Sequence, residues 1–181
     1  MVKKVTKWFY LQPFLFTRDP LHLLDISRKL NENHATARKY LNEFAKEGLL
    51  RITQKGRLTL YELNPDFPLI IDYLSIAEKE HLIQKSKQNK ILKELISDLQ
   101  AKASKPVIIF GSSAKDFSNA EDIDLICSEA LKIDGLKNKY EKEFHVIRVK
   151  SLSEIQEALK KETKKKHIIV YGVEEVVKWL I

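Results

Sequence analysis

Phe110-Gly111-Ser112-Ser113-Ala114, with nine residues between Ser112 and the following Asp122-Ile123-Asp124-Leu125, is the stretch on which the fold of this chain turns. The run Val107-Ile108-Ile109-Phe110 ahead of it is continuously apolar, as in a strand covered on both faces. Gly111 permits a tight turn from that strand into a helix. Side chains alternate along a strand, so Asp122 and Asp124 point to one face while Ile123 points into the core. Two carboxylates on one face suit a hard divalent cation such as Mg²⁺. Such ions bridge phosphates and lower the barrier to attack by a hydroxyl. Gly111 lets the backbone approach a phosphate, while Ser112 and the first amides of the following helix can donate to its oxygens. Either half alone also fits a plain structural role, a helix entry or a solvated strand edge. Their strand-turn-helix-strand order joins them.

Outward from that stretch, residues 123–127 read as a second strand, 144–149 as a third, 152–161 as a helix, 168–171 as a last short strand or buried run and 174–180 as a terminal helix. The Gly-Ser and Asp-x-Asp pairing resembles the signature of the DNA polymerase β-like nucleotidyltransferase superfamily, most closely its minimal, stand-alone members. The resemblance covers residues 106–150, with a looser match through residues 168–172. It implies that Gly111, Ser112 and Ser113 bind a nucleoside triphosphate, and that Asp122 and Asp124 are the catalytic metal holders for Mg²⁺ or Mn²⁺. The family's third carboxylate lies on the next long strand, and here the chain departs from the pattern. Glu143 and His145 share a face of that strand, with no Asp in the expected setting. Either residue can stand in, or the site is catalytically weakened.

Upstream, residues 6–17 form an apolar-aromatic segment and Asp19-Pro20 reads as the cap and first position of a helix running to residue 30. Asn31-Glu32-Asn33 is a turn, and residues 34–47 carry a helical period that stops at Gly48. Residues 49–53 and 57–63 alternate as two strands joined by Gln54-Lys55-Gly56. Three helices followed by a basic-tipped hairpin resemble a winged helix-turn-helix over residues 6–63. That resemblance implies duplex DNA binding, with His34, Thr36, Arg38 and Lys39 on the helix entering the major groove, Lys55 and Arg57 on the wing, and Arg28 and Lys29 near phosphate. A solvated basic face, or a winged helix used for protein pairing, accounts for the same residues.

The turn cluster Asn64-Pro65-Asp66-Phe67-Pro68 and the segment Ala103-Ser104-Lys105-Pro106 mark boundaries. Between them, residues 69–103 recur in Leu and Ile at helical steps, with a break around residues 85–89. That stripe must be covered, by the flanking modules or by a second copy in a homodimer. Charge follows the same division: residues 1–68 carry 12 basic and 7 acidic side chains, 69–105 carry 7 and 5, and 106–181 carry 13 and 13. The surplus is N-terminal, where a polyanion would be met. No run reaches the roughly 18 apolar residues of a membrane span, and the first twenty residues do not read as a secretory leader. A single cysteine, Cys127, excludes an internal disulfide and points to a cytoplasmic protein. No Ser-His-Asp order or His-rich metal spacing emerges.

The expectation is an α+β chain: a winged helix-turn-helix DNA-binding domain (1–68), a helical connector (69–105) and a small mixed-sheet nucleotidyltransferase-like domain (106–181). Its expected function is transfer of NMP from NTP to an unidentified hydroxyl acceptor. The alternative is a transcriptional regulator whose C-terminal domain is a weak nucleotide sensor or partner-binding module. A third possibility is one component of a toxin-antitoxin-like pair, working beside a small helical partner protein.

Overall fold

A computed structural model describes residues 6–128 and 130–181. Among these residues the chain forms nine α-helices and two sheets, an α+β architecture. It divides into two compact units, Met1–Ala77 and Glu78–Ile181.

In the N-terminal unit a 3₁₀ turn over Lys7–Leu11 leads into α1 (Gln12–Leu15), where Pro13 sits in the first turn and removes no helical hydrogen bond. The helix expected at Asp19-Pro20 starts later. Thr17 Oγ1 accepts from Asp19 N at 3.0 Å in a local turn, and Leu21–His22 form a short strand, β1. That strand pairs with Tyr61 and Leu60, so its backbone is committed to a sheet before α2 (Leu23–Leu30) can begin. Asn31 closes α2 in the left-handed conformation, and the Asn33 side chain accepts from Ala35 N at 2.8 Å to open α3 (His34–Lys46). β2 (Leu50–Lys55) and β3 (Leu58–Leu63) pair through to Lys55 opposite Leu58, leaving Gly56 and Arg57 as the hairpin tip. The sheet order is β1-β3-β2. Leu23 and Ile26 of α2 and Ala37, Leu41 and Phe44 of α3 are buried, as are Tyr10, Phe14 and Tyr61. Truncating one fully buried leucine such as Leu41 removes about 2–5 kcal/mol.

α4 (Ile70–Gln88) crosses the division between the units. The helical stretch then breaks at Asn89, whose extended backbone and side chain, accepting from Leu92 N at 2.9 Å, cap a new helix, α5 (Lys90–Lys102). Leu92, Leu95, Ile96 and Leu99 of α5 enter the core of the C-terminal unit, so this half of the connector segment is part of that unit.

The C-terminal unit continues with β4 (Val107–Phe110), α6 (Gly111–Lys115), β5 (Asp122–Ser128), α7 (Leu136–Tyr140) and β6 (Glu143–Val149). The helix expected over residues 152–161 is split. Ser151 accepts from Ser153 N to close a single 3₁₀ turn at Leu152–Glu154, Ile155 is extended, and α8 is Glu157–Lys165. β7 (His167–Tyr171) and α9 (Val173–Leu180) complete the unit. The sheet order is β6-β5-β4-β7, with β5 and β6 parallel and the other pairs antiparallel. Ile123, Leu125 and Cys127 of β5 share one core with α5, Val107, Ile109, Ile168 and Val170. Alternation therefore leaves Asp122 and Asp124 on the other face.

Candidate metal and nucleotide site

Antiparallel pairing of β4 with β5 sets Phe110 opposite Asp124, so the turn at Gly111 begins where the second aspartate stands. Gly111 has a φ of +70°, and a Cβ added there would lie 2.6 Å from Asp124 Oδ2. Only glycine fits both the conformation and the approach. Ser112 is exposed at the start of α6, whereas Ser113 is buried and its hydroxyl donates to Phe110 O at 3.0 Å. The Ser113 side chain thus braces the turn. The far end of α6 is held by Lys85, whose Nζ donates to Ala114 O and Lys115 O at 2.9 Å each.

The parallel partner strand supplies the third group. β6 runs in register with β5, Asp122 opposite Glu143 and Asp124 opposite His145. His145 Nδ1 lies 3.2 Å from Asp122 Oδ2 and 3.5 Å from Asp124 Oδ1. One ligand atom from each of the three residues lies within 4.8 Å of the others. Glu143, the other residue read as a stand-in for the third carboxylate, is not in this group; it pairs with Lys137 Nζ at 2.6 Å. The side chains of Asp122, Asp124 and His145 are 34, 25 and 64% exposed, so solvent and solutes reach the cluster. The Asp124 carboxyl is held above its usual range, first by burial and then by the Asp122 charge, with His145 opposing. Two carboxylates and an imidazole form a donor set for a divalent cation, and a cation between them would relieve the repulsion that raises Asp124.

A cavity of about 340 Å³ beside α6 is lined by Lys85, Asn89, Ser113, Lys115, Asp116 and Phe117 among others, and by none of the three cluster residues. The cluster lies at the exposed end of a sheet face whose Ile108 and Ile126 are buried, and its geometry carries the chemistry better than the cavity does.

In the N-terminal unit, Arg38 and Lys39 are exposed on α3, with His34 and Thr36 partly buried in its first turn. The Lys39 ammonium lies 5.4 Å from the Tyr40 ring centre. Lys55 and Arg57 are exposed at the hairpin tip. Arg28 and Lys29 are exposed at the end of α2, and Arg28 sits 3.7 Å from Asp25. Lys7 and Arg51, basic residues of the same unit, are paired with Glu47 and Asp66.

Sequence reasoning missed a second group in the C-terminal unit: Glu78, His81 and His167 are all buried. His167 Nε2 lies 2.7 Å from Glu78 Oε1, across 89 residues of chain. Helical periodicity places Glu78 and His81 near one face of α4, and that was the single signal available.

No family model, curated protein or solved structure matches this chain. Among the described residues no helix is long and apolar enough to cross a membrane.

Proposed function

We propose that residues 106–181 form a minimal nucleotidyltransferase-like domain that moves NMP from an NTP to a hydroxyl acceptor, and that residues 1–68 form a winged helix that binds duplex DNA. The observation that carries the first part is the meeting of Asp122 and Asp124 with the Gly111 turn, where Asp124 Oδ2 leaves no room for a side chain. In this reading Asp122 and Asp124 hold Mg²⁺ or Mn²⁺, the Gly111 backbone approaches the triphosphate, and the exposed Ser112 hydroxyl donates to it. A divalent cation there would neutralise phosphate charge and favour attack by the hydroxyl. The exposed Arg38, Lys39, Lys55 and Arg57, in the unit that carries the basic surplus, support the second part.

One observation favours a second reading. The residue level with Asp124 on β6 is His145 rather than a carboxylate. That suits a regulator whose C-terminal domain senses a nucleotide or binds a partner with little turnover.

Incubation with labelled NTPs and Mg²⁺ or Mn²⁺, offering the protein itself, RNA and DNA as acceptors, separates the two. Transfer lost in Asp122→Asn/Asp124→Asn supports the enzyme; nucleotide binding without transfer supports the sensor. Binding unchanged in the double variant removes the site. Duplex DNA retention should fall steeply with salt. Arg38→Ala should weaken a specific site by about 1–3 kcal/mol, whereas Lys55→Ala should weaken all duplexes alike. A chain that ignores duplex DNA at low salt removes the DNA-binding part.

A further inference from the structure

The third position of the Asp122–Asp124 cluster is filled by nitrogen. His145 stands opposite Asp124 on β6, its Nδ1 3.2 Å and 3.5 Å from the two carboxylates, while Glu143 is engaged by Lys137. Donors in adjacent positions around an ion with bonds of about 2.1 Å lie about 3 Å apart. The two distances from His145 Nδ1 are close to that spacing, and all three ligand atoms lie within 4.8 Å of one another.

Ligand type then decides which ion is held best. Mg²⁺ and Ca²⁺ are hard and favour oxygen in every position, whereas imidazole suits first-row transition ions. The two carboxylates would serve either class; the imidazole discriminates. The His145 side chain is 64% exposed, so the imidazole can be reached by an ion from solvent.

We propose that Asp122, Asp124 and His145 form a mixed oxygen-nitrogen site that prefers divalent transition ions such as Mn²⁺ over Mg²⁺ and Ca²⁺, with His145 Nδ1 bound directly to the ion. This rests on the reading of Asp122 and Asp124 as metal holders, and sharpens it to a metal class and a third ligand. Replacing His145 by Asp would restore an all-oxygen set and shift the preference toward Mg²⁺.

The test uses the full chain with MnCl₂ alone, without nucleotide. Pulsed electron paramagnetic resonance reads ¹⁴N coupled to the bound ion, and Mg²⁺ titration reads how readily that ion is displaced. The expected result is a ¹⁴N coupling in the wild-type chain that disappears in both His145→Ala and His145→Asp. Mg²⁺ should displace Mn²⁺ from His145→Asp at a concentration at least tenfold lower than from wild type. Circular dichroism of the two variants should match wild type, because the replaced side chain is largely exposed. Bound Mn²⁺ lacking ¹⁴N coupling, coupling that persists in His145→Asp, or an unchanged Mg²⁺ displacement would overturn the proposal. If Mn²⁺ is nonetheless lost in Asp122→Asn/Asp124→Asn, the aspartate site stands without its histidine. No Mn²⁺ binding in the wild-type chain, or binding indifferent to the double substitution, overturns both.

Discussion

Glu78 and His167 have side chains 2% and 0% exposed, whereas Asp122, Asp124 and His145 bring the same carboxylate and imidazole chemistry to a solvent-accessible cluster of the same unit. In the buried pair both ring nitrogens are committed, Nδ1 donating to Thr163 O at 3.0 Å and Nε2 lying 2.7 Å from Glu78 Oε1. In the open cluster one nitrogen is shared between two carboxylates that repel each other. Identical functional groups thus take opposite roles according to water. The dry pair is closed to solvent and belongs to the fold, with Glu78 Oε2 buried and without a hydrogen-bond partner among the described residues; the wet cluster is under electrostatic strain and open to a further ligand.

The buried and open groups should differ most at Glu78. Removing one member of a buried ion pair strands the other, and such losses run to about 3–5 kcal/mol. Glu78→Ala should lower the unfolding free energy of the C-terminal unit by that amount, and Glu78→Gln by less. Asp122→Asn/Asp124→Asn should leave stability unchanged or slightly raised, because it relieves repulsion. Denaturant titration with hydrogen exchange on peptides of residues 106–181 reads both. A Glu78→Ala loss no larger than that of the double variant would erase the distinction.

The buried group should also carry the pH dependence, with two histidines of opposite sign. Burial is the main cause that pulls His81 down to about 4, against the attraction of Glu78. Below its unfolded value of 6.5, the unfolded chain takes a proton at His81 that the folded chain refuses. Stability should therefore fall as the pH drops from 6.5 towards 4, by on the order of 3 kcal/mol. For His167 burial also pulls downward, but the charge and hydrogen bond of Glu78 and the backbone at Thr163 and Lys164 win, and the value is raised. Its contribution is complete below pH 6.5 and is lost as the pH rises through that raised value. His81→Gln should flatten the acid limb of unfolding curves and leave the upper limb in place. An acid limb unchanged by that substitution removes His81 as its source.

The two groups differ in legibility for the same reason that they differ in role. Asp122, Asp124 and Gly111 were readable because strand alternation and the glycine turn are local properties. That His145 stands level with Asp124 depends on the register of a parallel pair, which no local pattern encodes. The Glu78–His167 bond closes across 89 residues and gives no periodic signal. Non-local pairing explains the delayed α2 as well, since β1 exists only because Leu60 and Tyr61 pair with it. The break at Asn89 was foreseeable within a few residues, because an asparagine cap is a local device.

A smaller effect is expected where the open cluster meets the backbone. In Gly111→Ala the new Cβ must hold a left-handed conformation, at about 1–2 kcal/mol, and would sit 2.6 Å from Asp124 Oδ2. Asp124 can swing away into solvent, so the unit should stay folded while divalent-ion affinity drops at least tenfold. Calorimetry with Mn²⁺ beside a melting curve separates the two. An unaltered affinity would show that Asp124 has no need of its present position.

The smallest effect tests the strain itself. His145→Ala, at an exposed position, should change stability by less than about 0.5 kcal/mol. Yet it removes a neighbour that holds the Asp124 carboxyl down, while Asp122→Asn removes one that pushes it up. In metal-free protein the two substitutions should therefore move the Asp124 titration in opposite directions, upward for His145→Ala and downward for Asp122→Asn. Nuclear magnetic resonance of the side-chain carboxyl carbon follows both. A titration unmoved by Asp122→Asn would mean that the Asp122 charge does not raise the Asp124 carboxyl, and the open cluster would then lack the mutual repulsion that distinguishes it from the buried pair.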